Sequence, residues 1–259
     1  MISIDIFILT KDRESYLYKS VESVINSLNN CNKVNAQITI SNNSKNKISI
    51  NNFPPNCKII NRNSMSVNDH VKICIENAKF DFLMLFHDDD ILDINYFNII
   101  YKIITNFPNY SAYAMSAQCI NSNGNRLNSF YYKSNLKLKS IGPDEIIYQY
   151  FIAKPLSYPP FSSYVYRTRD VYGIFPDFND AGKFADVTFL YHLSGKNHLL
   201  WSNYIGMYYR IHDSNDGSIT AISDYTKLIK FFLLKNSNIL FKIKLIYLYT
   251  IYFIKYIFK

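Results

Sequence analysis

The sequence predicts an α/β protein in which a mostly parallel sheet is flanked by helices. Three observations carry that expectation. Short apolar runs alternate with stretches of helical periodicity. The 259 residues are enough to bury a large core. Three polar clusters, TKDR (10–13), SNNS (41–44) and HDDD (87–90), fall where strands end, the edge at which open α/β sheets bind ligands.

The elements follow in order. ISIDIFIL (2–9) reads as a strand, because it lacks the basic n-region of a signal peptide and is too short for its apolar core. YLYKSVESVINSL reads as a helix with Leu17, Val21, Val24 and Leu28 on one face. AQITIS (36–41) and CKII (57–60) are further strands. Ser66 is placed to cap a helix running to about Ala78, with Val67, Val71, Cys74 and Ala78 inward. DFLMLF is the fourth strand, and Asp93 is the expected cap of a helix reaching about Asn106. Strands alternating with helices argue for a parallel sheet covered on both faces.

Charge and cysteines exclude some classes. The formal net charge is +8, but seven lysines and no acid follow Asp224, which leaves +1 for residues 1–224. A body so nearly neutral lacks the basic face of a nucleic-acid binder. Cys31, Cys57, Cys74 and Cys119 have no spacing that suggests a metal site or a disulfide framework, as expected of reduced thiols in the cytoplasm.

DFLMLFHDDDILD (81–93) sets three adjacent carboxylates at the end of an apolar strand. Like charges so close are stable when a cation lies among them. An acidic turn accounts for Asp93 but not for Asp88, Asp89 and Asp90 together, and a divalent metal does. The chain has only seven glycines and no glycine-rich phosphate loop. A nucleotide diphosphate would therefore be held chiefly through Mg2+ or Mn2+, both of which accept carboxylate oxygens.

The order TKDR, SNNS, NRNSMSVNDHVKICIENAKFDFLMLFHDDD, FADVTF and YYRIHDSNDGS resembles the family-2 glycosyltransferases of the GT-A fold over roughly residues 2–218. The resemblance implies an inverting, metal-dependent enzyme with a nucleotide-sugar donor, a UDP-sugar above all. Residues 1–121 would bind the donor and 122–218 the acceptor. Thr10 and Arg13 would border the nucleotide, Asp88 the ribose or the metal, and Asp89 would be the main metal ligand beside Asp90. Asn42 stands where the family has a base-contacting aspartate, and an amide both donates and accepts.

The second half supplies the acceptor chemistry. By itself Asp186, in GKFADVTFLYHL, reads as a first-turn acid favoured by the helix dipole. The resemblance makes it the general base that deprotonates the acceptor hydroxyl, with Asp177 and Asp180 as alternatives. Arg210 and His212 are two apart at a strand end and so share a face. Arg210 is expected as a diphosphate clamp, and His212 as a metal or phosphate contact. His70, His192 and His198 receive no role, His87 either lines the metal site or merely precedes it, and Trp201 is expected in the core.

Residues 219–259 form a basic, aromatic, helical tail. About ten uncharged residues separate Lys244 and Lys255, roughly half the ~20 needed to span a bilayer, so interfacial attachment is expected. Lys230, Lys244, Lys255 and Lys259 fall near one stripe, and the alternative is a helical pair packed on the body. Together these features suggest a peripheral enzyme at the cytoplasmic face of a bacterial cell membrane. It would extend a lipid-linked saccharide (of undecaprenyl diphosphate type) for O-antigen or capsule. The alternatives are a metal-dependent nucleotidyltransferase, which needs a phosphate loop, and a non-catalytic sugar- or lipid-binding module.

Overall fold

The structure is a computed structural model and describes residues 1–49, 53–152, 156–212, 222–235 and 239–257, without the side chains of 151, 152, 252 and 255–257. The DSNDGS end of the YYRIHDSNDGS segment, the expected boundary at 218, Lys259 and the side chain of Lys255 lie outside the described residues.

The first half follows the predicted order: β1 (Ile2–Thr10), α1 (Glu14–Asn29), β2 (Val34–Asn42), β3 (Cys57–Asn61), α2 (Val67–Glu76) and β4 (Phe82–His87). The four strands are parallel in the order β3-β2-β1-β4. Helices cover both faces, which is why β1 and β4 read as near-continuous apolar runs. On one face Leu17, Val21 and Val24 of α1 pack on Ile4, Ile6 and Ile8. On the other, Val71 and Cys74 of α2 meet Phe7, Leu83 and Leu85. Ser66 caps α2 as expected, its Oγ accepting the Asp69 N–H at 3.1 Å. Val67, the first residue of α2, is 50% exposed, not inward.

Beyond the acidic triplet the chain departs from expectation. A two-residue strand, β5 (Ile91–Leu92), comes before α3 (Tyr96–Asn106), whose N-cap position is Asn95. Asp93 is therefore not the cap. Its Oδ1 accepts the Asn95 N–H at 2.9 Å, and its own N–H donates to Gly206 O at 2.9 Å, tying the triplet's exit to a distant strand.

The second half contains β6 (Ala112–Ile120), β7 (Arg126–Tyr131), β8 (Leu138–Ile141), α4 (Pro143–Ile147), β9 (Tyr164–Arg167), α5 (Thr168–Val171), α6 (Phe178–Ala181), α7 (Ala185–Ser194) and β10 (Leu199–Arg210). The complete order is β3-β2-β1-β4-β9-β6-β10-β5, with β7 beside β6 and β8 beside β10. Strand β9 runs antiparallel between β4 and β6, whereas β10 is parallel to β6. This half is thus mixed. The reversal matters because the residues just before β9 arrive at the carboxyl end of β4, where the acidic triplet lies. Trp201 is fully buried, with its ring against Tyr132, as expected of a core residue. All four cysteines are buried and free.

The tail comprises α8 (Ile222–Lys235) and α9 (Ile239–Ile257). Leu228 and Phe232 of α8 and Leu245 of α9 are buried in the same core cluster as Val187 and Leu190 of α7. Gly182, between α6 and α7, has φ +56°, a left-handed conformation that suits glycine. A Cβ there would overlap the Asp224 carboxylate of α8, so this turn needs glycine for space as well. Among the described residues no helix is long and apolar enough to cross a membrane.

Candidate active site

The parallel register of β1 with β4 brings the β1–α1 turn alongside the acidic triplet. Arg13, in that turn, reaches both neighbouring acids. Its Nη1 donates to Asp89 Oδ2 at 2.7 Å, and its Nη2 lies 3.1 Å from Asp88 Oδ1. The Lys11 N–H donates to the other Asp88 oxygen at 3.3 Å, and buried Thr10 lies beside the same carboxyl. From the far side of the sheet, β10 brings His212 Nε2 to 3.0 Å from Asp89 Oδ2.

Asp90 is completely buried. Ser162, delivered by the reversal at β9, donates its hydroxyl to Asp90 Oδ2 at 2.5 Å, and the Arg210 N–H donates to Oδ1 at 3.0 Å. Ser162 and Tyr16 escaped the sequence reading. Tyr16 stacks on His212 at 5.3 Å, and the Arg210 guanidinium lies 4.8 Å over its ring. An aromatic residue three positions beyond Arg13 was the available signal.

Two of the expected site residues are held by the protein's own backbone and side chains. Arg210 is buried, and its Nε donates to Asp89 O at 2.7 Å while Nη1 donates to Asn121 O and Ser122 O at 3.1 and 3.0 Å. These bonds tie Arg210 to the acidic loop. Asn42, expected at the base, is fully buried. Its amide donates to Asn46 O and Asn61 Oδ1, both at 2.8 Å, and accepts the Ser44 N–H, so it joins two loop ends. His70 is likewise structural, with Nε2 2.8 Å from Ser41 Oγ.

The acids differ in ionisation. Burial raises Asp88 to about 6 against the opposing field of Arg13. Burial also acts on Asp89, but His87, Arg13 and His212 outweigh it and hold that carboxyl below its ordinary value. Asp90 is pushed well upward by burial and then by the charge of Asp89. Two buried acids raised beside one that stays ionised form a site short of positive charge.

A divalent cation fits this arrangement. His87, Asp89 and Asp90 each offer a ligand atom, and the three atoms lie within 4.8 Å of one another. Carboxylate oxygens with an imidazole nitrogen suit Mn2+, and the carboxylates alone suit Mg2+. The group differs from the expected one: His87 joins it, whereas Asp88 faces Arg13 and His212 reaches it only through Asp89.

Asp186 lies in the first turn of α7, partly buried, with Oδ1 accepting the Val187 N–H at 2.9 Å. Burial raises it to about 6, opposed by backbone N–H groups. Tyr131 feels the charge of both Asp186 and the triplet. Burial lifts that phenol to about 12, and the charges of both Asp90 and Asp186 add to the rise. Tyr131 packs on Tyr209 and Tyr158 at ring separations of 4.7 and 6.1 Å. Asp177 and Asp180 lie elsewhere, lining a separate groove of about 750 Å3 with Ser66, Lys72 and His192.

No family model matches the sequence, and no curated protein does. Solved structures do match. TarS 1–349 of S. aureus in complex with UDP-GlcNAc superposes with a TM-score of 0.65 at 11% identity, over 96% of this chain and 70% of that one. The same protein in complex with UDP gives 0.59 at 11% identity over 91% and 73%. A longer TarS chain gives 0.58 at 12% identity, with 91% of this chain covering 44% of that one. At such identity the likeness is one of fold, and the chain has the GT-A-like α/β fold of these S. aureus TarS structures, with a central sheet flanked by helices.

Proposed function

We propose that the protein is an inverting glycosyltransferase that moves a sugar from a nucleotide diphosphate to a hydroxyl of a lipid-linked oligosaccharide. One observation carries this reading: His87, Asp89 and Asp90 converge at the carboxyl end of β4 as a cation site, to which the chain adds Asp186, a carboxyl raised to about 6, as the candidate base. Similarity to structures holding UDP-GlcNAc and UDP supports a UDP-sugar donor.

In this reading residues 1–121 supply the donor side and 122–218 the acceptor side. Thr10 and Arg13 border the nucleotide, and Arg13, half-buried against Asp88 and Asp89, offers its planar fork to phosphate oxygens. Asn42 contributes through the loop it stitches. Asp89 and Asp90, with His87 and His212 at their flanks, hold a Mn2+ or Mg2+ ion, which when bound neutralises the diphosphate leaving group. Asp186 accepts the acceptor's proton as that oxygen attacks the anomeric carbon. A base whose pKa is near the working pH is efficient at this step. A single displacement inverts the anomeric configuration.

The β1–α1 turn holds only Lys11, Asp12 and Arg13, with no glycine, so nucleotidyl transfer has no phosphate cradle here. A cytoplasmic position at the inner membrane face follows from the acceptor. Thermal unfolding with Mn2+ and a panel of UDP-, GDP- and dTDP-sugars tests the donor. A donor at about 100 times its dissociation constant adds about 2.7 kcal/mol, and a chain that responds to none of them is no transferase of this kind.

A further inference from the structure

Helix α9 has two apolar faces, and the body covers one of them. On the inner face Leu245 is fully buried and Phe241 half-buried. On the outer face Ile239, Ile243, Ile246, Tyr247, Phe253 and Ile254 are 40–69% exposed. Their spacing of three, four and seven residues sets them on one stripe along the helix. At 3.6 residues per turn Lys242 falls on one border of that stripe and Lys244 on the other. Lys244 overlies the Tyr148 ring at 5.9 Å, which marks where the body ends and the stripe begins.

Charge selects the occupant. No acid follows Asp224. Two tails meeting through this stripe would bring their lysines together with no carboxylate opposite, so a second copy is a poor partner. An anionic lipid surface complements both features, since apolar side chains enter the acyl boundary while flanking lysines keep their charges among the headgroups. No described helix crosses a membrane, so α9 would lie flat.

We propose that the outer stripe of α9 seats the protein on an anionic membrane, with Ile243, Ile246 and Tyr247 inserted and Lys242 and Lys244 at the headgroups. This surface deepens the proposed function, and its purpose rests on that reading, because a lipid-borne acceptor is presented at such a membrane.

The test is co-sedimentation of the full chain with vesicles of phosphatidylcholine containing phosphatidylglycerol, or of phosphatidylcholine alone, without donor or acceptor. Wild type should pellet with the anionic vesicles and be released by salt. Ile243→Glu with Ile246→Glu should lower vesicle affinity at least ~10-fold at an unchanged melting temperature. Lys242→Ala with Lys244→Ala should weaken anionic binding about 25-fold, roughly fivefold per lysine. A wild type that stays in the supernatant overturns the proposal, as do substitutions that change nothing. So does a wild-type dimer that the glutamates dissociate without any vesicle binding. Lost vesicle binding with retained nucleotide-sugar response leaves the transferase reading standing, and the reverse result removes that reading alone.

Discussion

Asp186→Asn separates catalysis from stability, because the fold works against the charge that the reaction requires. The carboxyl moves from an ordinary 3.8 to about 6 through burial. At 1.36 kcal/mol per tenfold change, that rise amounts to about 3 kcal/mol. The side chain is partly buried, so the figure is an upper bound. The sign follows from proton binding. Below pH 3.8 the acid is protonated in both folded and unfolded chains and costs nothing. Between 3.8 and about 6 the folded chain holds the proton more tightly, so stability falls as pH rises. Above that window the full penalty remains. Asparagine has no charge to desolvate and can still accept the Val187 N–H. The variant should therefore melt higher than wild type at pH 8, by up to roughly 6–12 °C for a chain of this size, and at the same temperature at pH 3.5. Its transfer rate should fall at least ~10²-fold while donor and metal affinity stay near normal. Wild-type turnover should rise with pH through about 6, and the product of an α-linked donor should be β-linked. Calorimetry at two pH values, a transfer assay and product NMR suffice. Near-normal turnover in the variant would pass the base role to another acid, retained configuration would sink single displacement, and an unchanged melting temperature at pH 8 would refute the burial account.

Three further outcomes follow from particular contacts. Asp89→Asn should abolish Mn2+-dependent nucleotide binding without unfolding the chain, measured by titration calorimetry; unchanged metal dependence would mean that the ion sits elsewhere. Arg13→Ala leaves Asp88 and Asp89 without their guanidinium and should lower metal-free stability by about 1–3 kcal/mol. Added Mn2+ should then raise the melting temperature more than in wild type, and an equal increment in both would show that Arg13 does not stand in for the cation. Phe232→Ala, in a side chain that α8 buries completely, should cost about 3–5 kcal/mol in denaturant unfolding, and a cost near zero would mean that α8 is loosely docked.

The legible parts of this protein are those whose information is local. Strand β1, helix α1 and strand β4 were readable because periodicity of two or 3.6 reports which face a side chain presents to a core. The Ser66 cap was readable because its bond spans three residues. HDDD was readable because adjacent like charges on an apolar strand are rare without a cation. Tertiary structure alone decided what those groups face. The charge of Arg210 was visible in the sequence but its burial was not; in the fold three backbone carbonyls accept from its guanidinium. Ser162 reached Asp90 across 72 positions only because β9 runs antiparallel, and strand direction is a choice among distant pairings. Asp186 is an ordinary first-turn acid in sequence, and its raised pKa exists only where the surrounding body excludes water. The tail followed the same division: its lysines and apolar residues were visible from the start, but which stripe would be covered depended on the core that α8 and Leu245 enter. Composition and periodicity determined the elements and their charges, while packing determined the dielectric and the partners of each charge, and those set its chemistry.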